Sequence, residues 1–462
     1  MGKIRRGMAG PERKPGGEGA LFSNRDILQL IVPLFLEQFL VMLVGMADTF
    51  MISYAGDTAV SGVSLVNMFN TVFIYLFTAL ASGGAVVISQ YIGSRDRECG
   101  NRSAGQLLTV TALLGAAMMT VVLVWNRQLL RLLFGGVESA VMDAGVTYLR
   151  ISAFSFPFMA IYNAGAALQR SLGRTKNTMY ISVVANIMNV IGNAIGIFVL
   201  HAGVAGVAYP TLIAHIFSAT VITVLCFGKT GSVSYIKSDI FRWDGAMIRR
   251  ILRIAVPNGV ENGLFQLIKV ALSSITALFG TAQIAANGIA QSFWSMAALV
   301  GVAMGPAFIT VIGRCMGAGD TEAADHYMRR LLRITLVLSV LWNGLVFAVT
   351  PVFMSLYPLS GEVTGLVVRL VLIHNVCNAF LFPISGAMSN GLRAVGDVRF
   401  AMLVSVVSTV AVRLVLSVVF GIWLELGVIG IALAMCSDWA VRAVLIYGRY
   451  RSGKWKRFKV IG

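Results

Sequence analysis

Apolar runs long enough to cross a bilayer recur along the whole chain, each followed by a short segment rich in glycine, proline or charge. An α-helical span needs about 20 mostly apolar residues. Twelve stretches meet that requirement, with cores at 29–53, 60–90, 104–124, 148–168, 178–200 and 205–227, then 252–279, 284–313, 331–353, 364–388, 400–423 and 428–447. The second six echo the first about 224 residues later. Val32-Pro33-Leu34-Phe35-Leu36-Glu37 returns as Val256-Pro257-Asn258-Gly259-Val260-Glu261. In the same register Gly56 falls on Gly280, Gly93 on Gly317, Asp96 on Asp320, Gly203 on Gly427 and Gly206 on Gly430; a one-residue slip matches Arg170 and Gly173 to Arg393 and Gly396. Six spans per half is an even number, so both halves share one orientation and are parallel repeats, related by an axis along the membrane normal. The expected fold is all-α and integral to the membrane. Its parts are a tail at 1–26, a first lobe at 27–228, a linker at 229–249, a second lobe at 250–448 and a basic tail at 449–462.

Composition agrees with that pattern. With 57% hydrophobic and 12% charged residues, the chain has too little polar surface to cover a soluble globule of 462 residues. The net charge of +17 is spread over both tails and alternate short loops, those holding Arg95, Arg97 and Arg102, or Arg170, Arg174 and Lys176, among them. Only Arg127, Arg131, Arg150 and Arg369 fall on the other side. Lysine and arginine are retained on the cytoplasmic side, so both termini are expected there. This distribution accounts for the basic charge without nucleic acid. Cys99, Cys226, Cys315, Cys377 and Cys436 are isolated, with no C-x-x-C spacing, so neither a disulfide frame nor a zinc site is expected.

Ionisable side chains at membrane depth are costly unless paired or facing water, which makes each a functional candidate. Glu37 and Asp48 lie eleven residues apart in the first span. At about 100° per residue they return to nearly the same face, roughly 16 Å apart along the axis. No lysine or arginine lies inside the first six predicted cores except at Arg150, so neither acid is expected to have a basic partner in its own half. A coupling cation, a proton, or both would neutralise them. The fifth span adds Asn186, Asn189 and Asn193 on one face, and the second carries Ser64, Asn67, Thr71, Tyr75, Thr78 and Ser82 at helical spacing. Amide oxygens coordinate Na⁺ or hydrogen-bond a protonated carboxyl, but such stripes also hold membrane helices together.

The second half is charged differently. Leu272 stands where Asp48 stood, Lys269 lies one turn earlier, and Arg413 replaces Asn189. Asp438 and Arg442 are spaced i and i+4, so Glu261, Lys269, Arg413, Asp438 and Arg442 are open to reading either as structural pairs or as ligands. Pro33 and Pro257 each remove a backbone hydrogen bond, which makes them the expected hinges.

These residues resemble the multidrug and toxic compound extrusion (MATE) family of secondary transporters, of a bacterial, DinF-like type. The resemblance rests on Pro33-x3-Glu37 with Gly45-Met46-Ala47-Asp48-Thr49, on Gln90-Tyr91-Ile92-Gly93, and on Asn189-x3-Asn193 followed by Gly203-Val204-Ala205-Gly206-Val207-Ala208. Arg451-Ser452-Gly453-Lys454-Trp455 after the last span extends it over nearly the whole chain. It implies two six-helix lobes in a V, acting as a functional monomer among membrane lipids. It also implies export of organic cations or other amphipathic compounds against an inward flow of Na⁺ or H⁺, with no other cofactor. Asp48 then looks like the family's first-span acid that holds the coupling ion, with Asn189 and Asn193 beside it. Many relatives have Asp at the position of Asn193, and some carry acids at the positions of Phe265 and about Phe382, so the implied ion site is confined to the first lobe. Burial adds Glu37, Asn67, Tyr75, Glu261 and Gln266 as candidates for the substrate cavity, with Glu37 placed to attract a cationic substrate.

Two rival readings are weighed. A flippase of lipids or lipid-linked sugars would use basic cavity residues such as Lys269 and Arg413 on diphosphate headgroups. A membrane enzyme is disfavoured by four scattered histidines, no H-E-x-x-H and no glycine-rich nucleotide loop.

Overall fold

The computed structural model describes residues 21–136, 138–228, 231–355 and 360–461. Most of the expected N-terminal tail, Lys229 and Thr230 of the linker, and Gly462 therefore lie outside the described residues. Among the described residues, eleven helices are long and apolar enough to span a bilayer. In chain order they are Asn24–Ser53, Asp57–Ser94, Arg97–Phe134, Ser139–Ser171, Thr175–Val199 and Ala205–Phe227, then Thr281–Gly317, Thr321–Met354, Gly361–Val395, Val398–Trp423 and Gly427–Arg451. The seventh of the twelve expected spans is Gly245–Ala277, a helix of 33 residues. Its length suffices, but Asn258, Glu261, Asn262, Gln266 and Lys269 dilute its apolar character. All twelve predicted spans are thus helical, and most run further than their apolar cores.

The repeat reappears as matched local chemistry. Asp96 and Asp320 each cap the following helix by accepting from the backbone N–H three residues on, at 3.0 and 2.8 Å from Cys99 and Ala323. Gly56 and Gly280 hold φ of +95° and +88° at the equivalent first turns of each half, a backbone region closed to most side chains. The eighth span is interrupted at Ala298, where one helix ends and the next begins. Among the described residues, four π-helical turns punctuate the bundle, at Ile195–Val199, Pro383–Met388, Ser408–Leu414 and Val419–Trp423. The helices bearing Pro33 and Pro257 run continuously through both prolines. A marked internal break falls in the third span, at Trp125, with φ −113° and ψ 23°.

The hydrophobic cores show how the lobes meet. At the membrane end that carries both chain termini, here the terminal end, two cores mix the halves. One joins Ile27, Leu30 and Leu34 of the first span to Phe308, Leu331 and Leu392 of the second lobe. The other joins Val86, Leu107 and Leu168 to Ile251, Ala255 and Ile309. At the opposite, distal end each core stays within one lobe. The lobes therefore close on each other terminally and part distally, the V expected for the bundle. The start of the first helix of each half packs into these shared terminal cores.

The terminal closure is built on backbone contact. A Cβ added at Gly93 would lie 2.1 Å from the Arg314 carbonyl oxygen, and one added at Gly317 would lie 1.9 Å from that of Gln90. Because 314 repeats 90 and 317 repeats 93, these are one contact seen twice across the two-fold axis. Gln90 Nε2 donates to the Ala394 carbonyl at 2.7 Å, and Arg314 Nε donates to that of Ser171 at 2.9 Å.

The linker and C-terminal tail are tied down. Gln106 Nε2 donates to the carbonyls of Asp239 and Arg242, both at 2.6 Å, and Val233 and Tyr235 are buried against the first lobe. Trp455 is fully buried and donates to the Tyr450 carbonyl, while Arg449 pairs with Asp397 at 2.7 Å.

Candidate functional site

Where the terminal closure ends, a cavity of about 360 Å³ opens between the lobes. Tyr75, Ser82, Asn163 and Arg170 line it from the first lobe, and Asn258, Glu261 and Arg393 from the second. The polar stripe of the second span thus contributes Tyr75, Thr78 and Ser82 to this wall. Asn67 of the same stripe does not line it and accepts from the Tyr148 hydroxyl at 3.4 Å. Glu261 and Tyr75 also line a recess running into the second lobe, where Gln266 joins them.

Within the first lobe the first and fifth spans lie side by side, and both acids of the first span turn toward the fifth. Asn193, fully buried, donates through Nδ2 to Asp48 Oδ1 at 2.7 Å and to Asn189 Oδ1 at 3.2 Å. Asn189 donates in turn to Thr211 of the sixth span at 2.9 Å. Asp48, Asn189 and Asn193 are therefore brought together, with Thr211 as a fourth member. Among the described residues no basic side chain comes within ion-pair distance of Asp48. Asn193 Oδ1 is buried without a hydrogen-bond partner, on the same amide whose Nδ2 holds the Asp48 carboxylate. Oxygens of this kind suit a hard monovalent cation, and the carboxylate suits a proton.

Glu37 corrects the expectation drawn for it. Its carboxylate is 3% exposed and pairs with Arg170 at 2.7 Å, while Thr178 donates to the other oxygen at 2.9 Å and Tyr162 to the first at 3.4 Å. A basic partner from its own lobe does exist. The fourth helix extends to Ser171, past the predicted core ending at 168, and carries Arg170 inward from what read as a loop. A carboxylate so fully engaged has little capacity left to attract a cationic substrate. Its repeat, Glu261, pairs with Arg393 at 2.6 Å, so the duplicated acids have duplicated partners.

The remaining intramembrane charges of the second lobe sort as the sequence left open. Arg442 holds Asp438 through two hydrogen bonds, at 2.8 and 2.9 Å, and Asp438 is fully buried. Arg413 lies buried over the ring of Phe265, 5.4 Å from its centroid. Lys269 is exposed and lines neither cavity.

Breaking a buried pair is more costly than never having had one, because the remaining charge is stranded. Arg170→Ala should therefore lower stability by about 3–5 kcal/mol. The combined Glu37→Gln, Arg170→Gln variant should recover most of that loss in thermal unfolding in detergent. Equal unfolding temperatures for wild type and Arg170→Ala would show that the pair is not structural.

Comparison with known proteins bears on this arrangement directly. Residues 33–195 and 257–419 each match the MatE family, two matches in the register of the repeat. The chain is 28% identical to the Uncharacterized transporter YisQ of Bacillus subtilis (strain 168), over 93% of this chain and 94% of that protein. It is 24% identical to the Probable multidrug resistance protein NorM of Thermotoga maritima, over 95% and 94%, and 23% identical to human Multidrug and toxin extrusion protein 1, over 94% and 75%. Among solved structures, a multidrug resistance MATE family transporter in an outward-facing conformation superposes with a TM-score of 0.87 at 20% identity, over 94% of this chain and 96% of that one. A MATE structure in a bent conformation gives 0.85 over the same shares. A duplicated family match over most of the chain, on twelve spans in two parallel lobes, makes this a multi-pass transporter belonging to the MATE family.

Proposed function

We propose that the protein is an antiporter that expels amphipathic, chiefly cationic, compounds in exchange for H⁺ or Na⁺ taken up at Asp48. The observation that carries this reading is a carboxylate inside the first lobe hydrogen-bonded to Asn193 and free of any basic neighbour among the described residues. An acid held this way exchanges a cation without breaking an ion pair. Binding there would neutralise Asp48 and shift the balance between states by its differential affinity for them. The open distal end is the side from which the ion would enter, with both termini in the cytoplasm of a bacterial cell. Tyr75, Asn163 and Asn258 offer neutral polar contacts in the interlobe cavity, and Glu261, with Oε2 held by Arg393, its carboxylate.

The flippase reading has less support. Arg413 lies buried beside Phe265 and Lys269 stands apart, so the two bases do not converge on one headgroup. Relatives named for multidrug resistance point the same way. Purified protein in liposomes, offered a panel of cationic dyes under separate Na⁺ and pH gradients, tests the proposal. Efflux should follow one imposed gradient and vanish when it is collapsed. Dye movement indifferent to both gradients would sink it.

A further inference from the structure

The recess that continues the interlobe cavity into the second lobe is built unlike the site around Asp48. It has a volume of about 270 Å³ and walls of Phe265, Trp294, Phe382 and Trp439. Trp294 and Trp439 are stacked, with centroids 6.1 Å apart and planes 24° apart, and Phe382 lies 5.6 Å from Trp439. Such walls take a flat ring, and the volume holds a small fused-ring system.

The polar atoms of the same walls are unbalanced. Trp294 Nε1, Ser385 Oγ and Arg393 Nε are buried and have no hydrogen-bond partner. All three can donate, and the indole and guanidinium nitrogens can do nothing else. Arg442 also lines the recess, but its Nε and Nη2 are engaged by Asp438 and Thr409. Against these stands one lining carboxylate, Glu261, whose Oε2 is taken by Arg393; Asp438 lies fully buried behind Arg442. Ser385 sits in the π-helical turn Pro383–Met388 and Thr409 in Ser408–Leu414, where the regular backbone ladder is locally widened. Buried donors left without acceptors cost free energy that an acceptor-bearing ligand would recover.

We propose that this recess is a binding subsite for planar aromatic compounds carrying a carboxylate, the rings lying among the four aromatic side chains and the anion meeting Trp294, Ser385 and Arg393. The inference rests on the reading of the interlobe cavity as the transport site.

Binding to the full-length protein in detergent, with no gradient present, separates this subsite from the efflux reading. The probes are 2-naphthoate and 2-naphthylmethylammonium, alike in size and opposite in charge, titrated calorimetrically into wild type, Trp294→Phe and Ser385→Ala. Trp294→Phe keeps a ring but removes the N–H, and should weaken 2-naphthoate about tenfold, as expected for losing a hydrogen bond to a charged group. The ammonium probe should bind both variants as it binds wild type. Should Trp294→Phe fail to fold, Ser385→Ala carries the same expectation with a smaller shift. No binding of 2-naphthoate to wild type, or equal affinity in all three proteins, would mean that water alone fills the recess and would overturn the proposal. Naphthoate binding that is sensitive to Trp294 in a protein that moves nothing under any gradient would retain the subsite and overturn the antiport reading instead.

Discussion

Asp48→Asn should reduce ion-driven efflux in proteoliposomes to the level of empty vesicles while leaving the protein folded. The substitution keeps shape and retains a hydrogen bond to Asn193, which donates to Asp48 at 2.7 Å. It removes the only feature of the site that can change charge. Coupling free energies of about 1–3 kcal/mol correspond to roughly 5–150-fold between linked sites, and losing them should cost accumulation by a factor in that range. No ion pair is broken, so the unfolding temperature should move little. Asn193→Asp supplies the converse. A second carboxylate where many relatives have one would keep efflux and raise the affinity for the coupling cation. Full gradient-driven efflux by Asp48→Asn would remove the ion assignment altogether.

Gly93→Ala or Gly317→Ala should prevent the lobes from closing at the terminal end. Each added methyl would stand about 2 Å from a carbonyl oxygen of the opposite lobe, a position no side-chain adjustment relieves. The obstacle is present only when the lobes touch. It should therefore penalise the distally open arrangement selectively, by several kcal/mol, the scale at which overpacking shifts a two-state equilibrium by more than a hundredfold. Spin labels at Glu98 and Glu322, exposed and equivalent across the repeat, give the readout in a background without the native cysteines. Their separation should lengthen in either variant, with loss of transport. An unchanged distance distribution would mean that the closure tolerates the methyl and that these glycines do not govern it.

The bilayer made much of this fold legible. Every span has to satisfy its backbone internally and show an apolar surface, so the twelve runs had few other ways to fold. The repeat register likewise carried through to Gly93 and Gly317, to Asp96 and Asp320, and to Gly56 and Gly280, because each pair does the same local work in both halves. Helical spacing put Asn189 and Asn193 on one face of the fifth span, but that this face meets Asp48 was implied by the family resemblance and not by the spacing. The partner of Glu37 was not readable from spacing either. Arg170 is 133 residues away in sequence and stands at a helix end where basic residues are already accounted for by membrane orientation. A signal was nevertheless present, since both Glu37 and Arg170 recur in the second half as Glu261 and Arg393. A repeated acid and a repeated base are a stronger hint of pairing than either alone. Trp294 and Ser385 gave no comparable sign. Tryptophan and serine are ordinary in membrane helices, and only the distribution of unpartnered donors around one recess sets these two apart.

The exchange of ion for substrate through Asp48 is tested most directly by the affinity of a cationic dye for purified protein, measured across a series of Na⁺ concentrations and pH values in wild type and Asp48→Asn. The account predicts that wild-type affinity falls as the coupling ion rises and that Asp48→Asn shows a flat line. The same ion dependence in both proteins would contradict it.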